Sequence, residues 1–439
     1  MRRHLLVAAL IAASLGFKAA AASEDRPDAT LQRQSVEAVL RLLKDKYVFP
    51  DVAGKIDATV RSKMAEGTYD TLDGPALAGA LTHDLRAVSH DLHLSVQYSN
   101  ELLPPDETDS PMAPPTKAQL EEVKRGLEPM KYGVERVDVL DGNVGYLRID
   151  LFTPPSLAED TYTAAMNFLA QTDALIIDLR NNGGSIDPEA VPLLCSYFFD
   201  KPVHLNDFYW KEGNRTQELW TRAEVAGKKY LDKPIYVLIG RHTFSGAEEF
   251  AYDLKNLKRA TLVGEPTGGG ANPGGTRRAD DHFTVWVPVG RAINPISKTN
   301  WEGTGVSPDV AVPVTKALVT SHLAALQHTL AKRPEWAEPV KGSISKFEKE
   351  LAHFKTVRFE LPGHDDAREV RVAGTFNDWS DSSHRLERRG DSWSIEIPLA
   401  PGRIEYKFVM DGKWIPDPSR PVTSSGDPTA DANSERMVE

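Results

Sequence analysis

The chain of 439 residues has one cysteine, Cys195, so no disulfide can form within it and its fold must stand on buried apolar surface. Long apolar runs are also lacking. The apolar stretch over residues 5–17 is too short to cross a bilayer as a permanent helix, which excludes a membrane-spanning chain. No basic block offsets the formal net charge of −11, which argues against nucleic acid as the main partner. The histidines are scattered without metal-ligand spacing, so no metal and no organic cofactor is expected. There is no internal repeat, and no cysteine follows the apolar stretch where a lipid anchor would attach.

What is present begins with a secretory leader: Arg2 and Arg3, the apolar stretch, then small residues from Ala19 to Ala22. Cleavage near residue 22 would send the chain to the periplasm or outside the cell. A chain of this length exceeds one typical core, so two or three domains are expected. Residues 23–102 show helical spacing, with Val36, Val39, Leu40, Leu43, Ile56 and Val60 at intervals of three and four. A Pro-rich loop over 103–115 leads into residues 103–325, where apolar strands such as 174–179 and 235–239 alternate with helical stretches. That alternation indicates an α/β layer on a parallel or mixed sheet covered on both faces. Residues 326–354 are expected as a helical linker. Short alternating strands separated by Gly-containing turns then fill 355–439 as an all-β sandwich.

Within the α/β portion, Thr243-Phe244-Ser245-Gly246 stands between a strand and a helix. A serine there lies beside the free N–H groups of the helix start, which suits a nucleophile and equally suits a simple N-cap. Asn181-Asn182-Gly183-Gly184 ends another strand, and ligands gather at such strand ends.

Four blocks in order carry a resemblance: Ile176–Gly184, Thr243–Glu248, Leu262–Gly269 and Glu302–Asp309. Together they resemble the C-terminal processing (tail-specific) serine peptidases. The lysine used by Ser/Lys members is missing from Thr267-Gly268-Gly269-Gly270, and Asp91-Leu92-His93 is similar to the branch of interphotoreceptor retinoid-binding protein and the tricorn core. The resemblance implies Ser245 as nucleophile, His93 as general base and Glu302 as the group orienting it, directly or through a polar side chain. Gly246, with Gly183 or Gly184, would form the oxyanion hole. His90 competes with His93, and His242 is expected to be structural. The implied architecture is multidomain α/β, with a crotonase-like ββα core, a helical N-terminal domain and a C-terminal immunoglobulin-like sandwich.

The terminal segment, through Val372–Trp379, Gly402–Phe408 and Asp411–Pro418, resembles the glycogen-binding module of AMP-activated kinase β subunits. That resemblance implies Trp379, Trp414, Lys407 and Asn433 as carbohydrate-binding residues and an α-glucan as a ligand. The expected function is an exported serine peptidase acting on peptides or proteins. The alternatives are a non-catalytic carrier of a lipophilic ligand and a protein- or glycan-binding scaffold.

Overall fold

A computed structural model describes residues 29–104, 117–421 and 432–439. The leader, most of the Pro-rich stretch and most of the loop over 424–432 lie outside the described residues.

Helices Ala29–Lys46, Pro50–Ala65 and Gly74–Ser89 open the fold. The last starts at Asp73, whose side chain accepts from the Ala76 N–H at 2.8 Å, and has proline in its first turn. It ends at His90 in the left-handed conformation, φ 57°, donating to the Arg86 carbonyl at 2.8 Å. The chain then turns into strand Ser95–Tyr98, which pairs with Phe283–Pro288. This helical region does not close on itself: Val36, Leu40, Ile56 and Leu81 share one core with the central sheet.

That sheet has six strands in the order 310–311, 261–264, 235–239, 174–178, 144–149, 134–140. Only the last pair is antiparallel. Strands Ala174–Asp178 and Ile235–Ile239 are buried at every residue. Alternate side chains divide between two cores: Leu175, Ile177, Val237 and Ile239 join helices 155–169 and 246–256, while Ile176, Tyr236 and Leu238 face the other way. That second face is covered by helices Ala317–Lys332 and Ala337–Ala352, through Leu326, Val340 and Phe347. The expected linker over 326–354 is therefore a layer of the core domain, and its proposed start cuts through a helix. Helical spacing alone cannot tell a covering helix from a connecting one.

The C-terminal portion is all-β. One sheet joins 355–362, 392–399 and 387–389; the other joins 370–374, 402–410, 413–415 and 434–438. Its core, including Phe359, Tyr406 and Phe408, is separate from the other two.

Helix Gly246–Asn256 runs through the main core and buries two carboxyl groups one turn apart, Glu249 and Asp253. Asn294 donates to Asp253 Oδ1 at 3.1 Å, whereas Glu249 Oε1 and Asp253 Oδ2 have no partner among the described residues. Burial pushes both groups up from their ordinary values, with the Glu189 charge adding to the rise at Glu249 and the Glu249 charge adding to that at Asp253. A raised carboxyl binds its proton more tightly in the folded than in the unfolded chain. Its stabilisation is complete below the unfolded value of about 4.5 and is lost as pH rises toward the folded one. Urea midpoints measured from pH 4 upward should therefore fall with pH in the wild type and fall less steeply in Glu249→Gln.

Candidate active site

Ser245 sits between strand Ile235–Ile239 and helix Gly246–Asn256 at φ 53°, ψ −121°. A non-glycine residue in that region costs roughly 1–3 kcal/mol and persists only where its surroundings hold it. Two buried side chains do so. Glu248 Oε2 accepts from the Ser245 N–H at 2.9 Å and the Gly270 N–H at 2.8 Å; Oε1 accepts from Gly269 N–H at 2.6 Å and the Thr267 hydroxyl. Burial pushes Glu248 up to about 7, but four donors around two oxygens leave no acceptor for a proton, so the geometry suits the carboxylate. Asn182, fully buried, ties three strand ends together. Its amide donates to the Ile149 carbonyl at 3.0 Å, its side-chain oxygen accepts from Gly184 N–H at 2.8 Å, and its carbonyl accepts from Phe244 N–H at 3.0 Å.

The turn therefore lies directly against the serine. A Cβ on Gly184, where φ is +128°, would come within 2.8 Å of Ser245 Cβ. The Gly184 N–H is already given to Asn182, whereas Gly183 is exposed and lines the open cleft. Of the two glycines, Gly183 is the one whose N–H is not given to Asn182 and which lines the cleft. Gly246, as first residue of its helix, has no preceding turn to receive its N–H.

His93 comes from the turn after the helical region. Its ring lies 4.6 Å from that of Phe244 and 6.4 Å from that of Trp286. Gly270 packs so closely that a Cβ there would reach His93 Cε1 at 2.6 Å. Burial holds the imidazole low, at about 4. His90, by contrast, is an exposed helix cap. His242 donates through Nε2 to the Ser383 carbonyl at 3.0 Å, turned toward the C-terminal sandwich.

The carboxylate nearest His93 is not the one expected. His93 Nδ1 is 3.8 Å from Asp91 Oδ1. Asp91 is itself held by the His93 N–H, the Tyr47 hydroxyl and the Asn272 amide at 3.0, 3.1 and 2.9 Å. Glu302 approaches the same point. Its Oε2 accepts from Ala271 N–H at 2.6 Å, and burial together with the Asp91 charge pushes it up to about 8. One potential ligand atom each from Asp91, His93 and Glu302 lies within 4.8 Å of the other two. Sequence spacing does not show this juxtaposition, because Asp91 and His93 are near neighbours in the chain while Glu302 lies far along it.

Asn182, Asp91 and Glu248 lie within motifs legible in the sequence, but the sequence assigns them no role of their own. For Glu248 a signal was available, since Ser245-Gly246-Ala247-Glu248 has the spacing of a capping box.

A cleft of about 930 Å³ runs past Gly183, Phe244, Leu92 and Pro266. Its other wall is Ser380, Asp381 and Ser382 of the C-terminal sandwich. Asp378 bridges to Arg148 at 3.1 Å, and Thr315 donates to the Pro398 carbonyl at 2.6 Å. Although its core is separate, the sandwich is built onto the cleft. On its outer face Trp379 and Trp414 lie 6.4 Å apart, and the Asn433 amide donates to Glu405 at 3.0 Å. Glu405 and Lys407 alternate with the core residues Tyr406 and Phe408, and Trp414 pairs opposite Val409, so these residues share the outer face. Lys407 is only 1 % exposed, so it presents almost no surface to a ligand.

Residues 143–312 match the family described as peptidase family S41, residues 30–135 the N-terminal domain of that family in eukaryotic interphotoreceptor retinoid-binding protein, and residues 357–433 the glycogen recognition site of AMP-activated protein kinase. The carboxyl-terminal-processing protease of Synechocystis sp. is 28% identical over 210 residues, covering 44% of this chain and 48% of that protein. The human 5'-AMP-activated protein kinase subunit beta-2 is 38% identical over 90 residues, 20% of this chain and 30% of that one. The crystal structure of a protein from Parabacteroides merdae superposes with a TM-score of 0.46 at 18% identity, covering 64% of this chain and 90% of that chain. The chain spans about half or less of the length of these curated relatives. No helix among the described residues is long and apolar enough to cross a membrane. The chain thus carries a domain of peptidase family S41, with that family's N-terminal domain before it and a glycogen-recognition module after it.

Proposed function

We propose that the chain is an exported serine peptidase in which Ser245 attacks the scissile carbonyl. The observation that carries this reading is the held, left-handed Ser245 at the head of a helix, packed against Gly184 and next to a Phe244 ring that contacts His93. Such a turn projects a hydroxyl toward substrate while the helix start supplies N–H donors for the oxyanion. His93 takes the serine proton and returns it to the leaving amine; its low proton affinity in the free site keeps it neutral and ready to accept. Asp91 and Glu302 stabilise the imidazolium as it forms, Asp91 from the nearer position. Gly246 and Gly183 are the oxyanion donors. The core is of crotonase-like type and the terminal module an immunoglobulin-like sandwich. The leader over residues 1–22 directs export to the periplasm or beyond.

The module binds α-glucan through Trp379 and Trp414, whose flat faces suit the apolar sides of sugar rings. Asn433, whose amide donates to Glu405 on that face, adds a hydrogen bond, and the covered Lys407 makes no direct contact with the sugar.

A fluorophosphonate probe should label the wild type and leave Ser245→Ala unlabelled; absence of labelling in both would favour the carrier reading. Turnover of a broad peptide library should fall by about 10⁴-fold or more in His93→Ala and stay within about twofold in His90→Ala. Equal losses in the two variants would remove His93 from the mechanism. In a pull-down on insoluble α-glucan, the wild type should be retained and Trp379→Ala/Trp414→Ala should wash through; no retention of either would end the glucan assignment.

A further inference from the structure

The acidic side of His93 holds more than an orienting carboxylate. Three side chains from two distant parts of the chain, Asp91, His93 and Glu302, bring one potential ligand atom each within 4.8 Å of the others. The site is closed, with the His93 side chain only 7% exposed. Inside it, His93 Nδ1 and Glu302 Oε1 are both buried with no hydrogen-bond partner among the described residues. A buried polar atom without a partner is costly, and two in one small site point to something the site accepts.

One imidazole nitrogen with two carboxylate oxygens is a donor set for a divalent transition metal such as Zn²⁺, with a water completing four-coordination. Ligand atoms about 2.0–2.2 Å from an ion stand roughly 3.3–3.6 Å apart, so the three side chains need to close by up to about 1.5 Å. The geometry permits that movement. Glu302 is tethered through Oε2 to Ala271 N–H, which leaves Oε1 to swing inward. Asp91 Oδ2 is held by Tyr47 and Asn272, which fix the carboxylate from behind as outer partners fix the ligands of metal sites.

We propose that Asp91, His93 and Glu302 form a site for one divalent transition-metal ion, and that its occupancy reversibly switches off Ser245. The switch follows from the single proton of neutral imidazole. Without metal, Nδ1 carries the proton toward the carboxylates and Nε2 is free to accept the serine proton. A metal on Nδ1 takes that lone pair, the proton moves to Nε2, and the ring has no basic nitrogen left. No oxidation or bond cleavage is involved. Metal binding stands independently of the peptidase reading, whereas the switch rests on it.

The test uses the full chain, in wild-type, Ser245→Ala, His93→Ala, Asp91→Asn and Glu302→Gln forms. Zn²⁺ is titrated in competition with a chromophoric chelator, and fluorophosphonate labelling is followed with and without Zn²⁺. One ion per chain should bind wild type and Ser245→Ala alike, at least 10-fold more weakly in Asp91→Asn and Glu302→Gln, and not in His93→Ala. Wild-type labelling should slow at least 10-fold with Zn²⁺ and recover on adding EDTA. No saturable binding to wild type up to about 1 mM, or binding unchanged in the three site variants, overturns the site. Stoichiometric binding with labelling unaffected overturns the switch. Stoichiometric binding by a wild type that is never labelled upholds the site and overturns the switch together with the peptidase reading.

Discussion

A left-handed serine has to be paid for by its neighbours, and most of the core domain's organisation is arranged around that requirement. Glu248 meets it from within the helix the serine begins, accepting from Ser245, Thr267, Gly269 and Gly270. Hydrogen bonds to a charged acceptor contribute about 1.5–3 kcal/mol each, so several of them outweigh roughly 1–3 kcal/mol of backbone strain. Because those donors lie in the glycine-rich loop, the same carboxylate that holds the serine also fixes that loop. The loop in turn packs against His93 through Gly270 and receives the Trp301 indole N–H on the Gly270 carbonyl at 2.7 Å. Strain at one residue is thereby shared across the serine, the histidine and the stretch that carries Glu302.

The sheet supplies the second half of the support. Strands 144–149, 174–178 and 235–239 run parallel, so their carboxyl ends lie side by side, and Asn182 links the three ends. Parallel strands require both faces to be covered. The two helices over 317–352 provide one cover, and the helix headed by Ser245 belongs to the other. The packing that covers the sheet therefore also positions the serine.

The C-terminal sandwich has its own core, yet the stretch around Ser380–Ser382 walls the cleft and Asp378 reaches Arg148. Trp379, next to Asp378, lies on the face where Trp414 stands. One short segment therefore touches both the cleft and the tryptophan face, which gives the joining of the two domains a structural consequence beyond tethering.

Local patterns were enough to determine the helical opening, the alternation of strands and helices, the all-β terminus and the placement of Ser245 between strand and helix. Each rests on spacing within a few residues: 3.6 for Val36, Val39 and Leu40, and 2 for Ile404, Tyr406 and Phe408. The blocks of motif also brought His93, Glu302, Gly183 and Gly184 into consideration. Only the tertiary structure decided that Asp91 stands nearer His93 than Glu302 does, that the Gly184 N–H is spent on Asn182, that Lys407 is covered, and that residues 326–354 are a core layer. Those outcomes depend on which faces meet and which donors remain after folding, and contacts such as 91 with 272 or 182 with 244 leave no periodic trace in the chain.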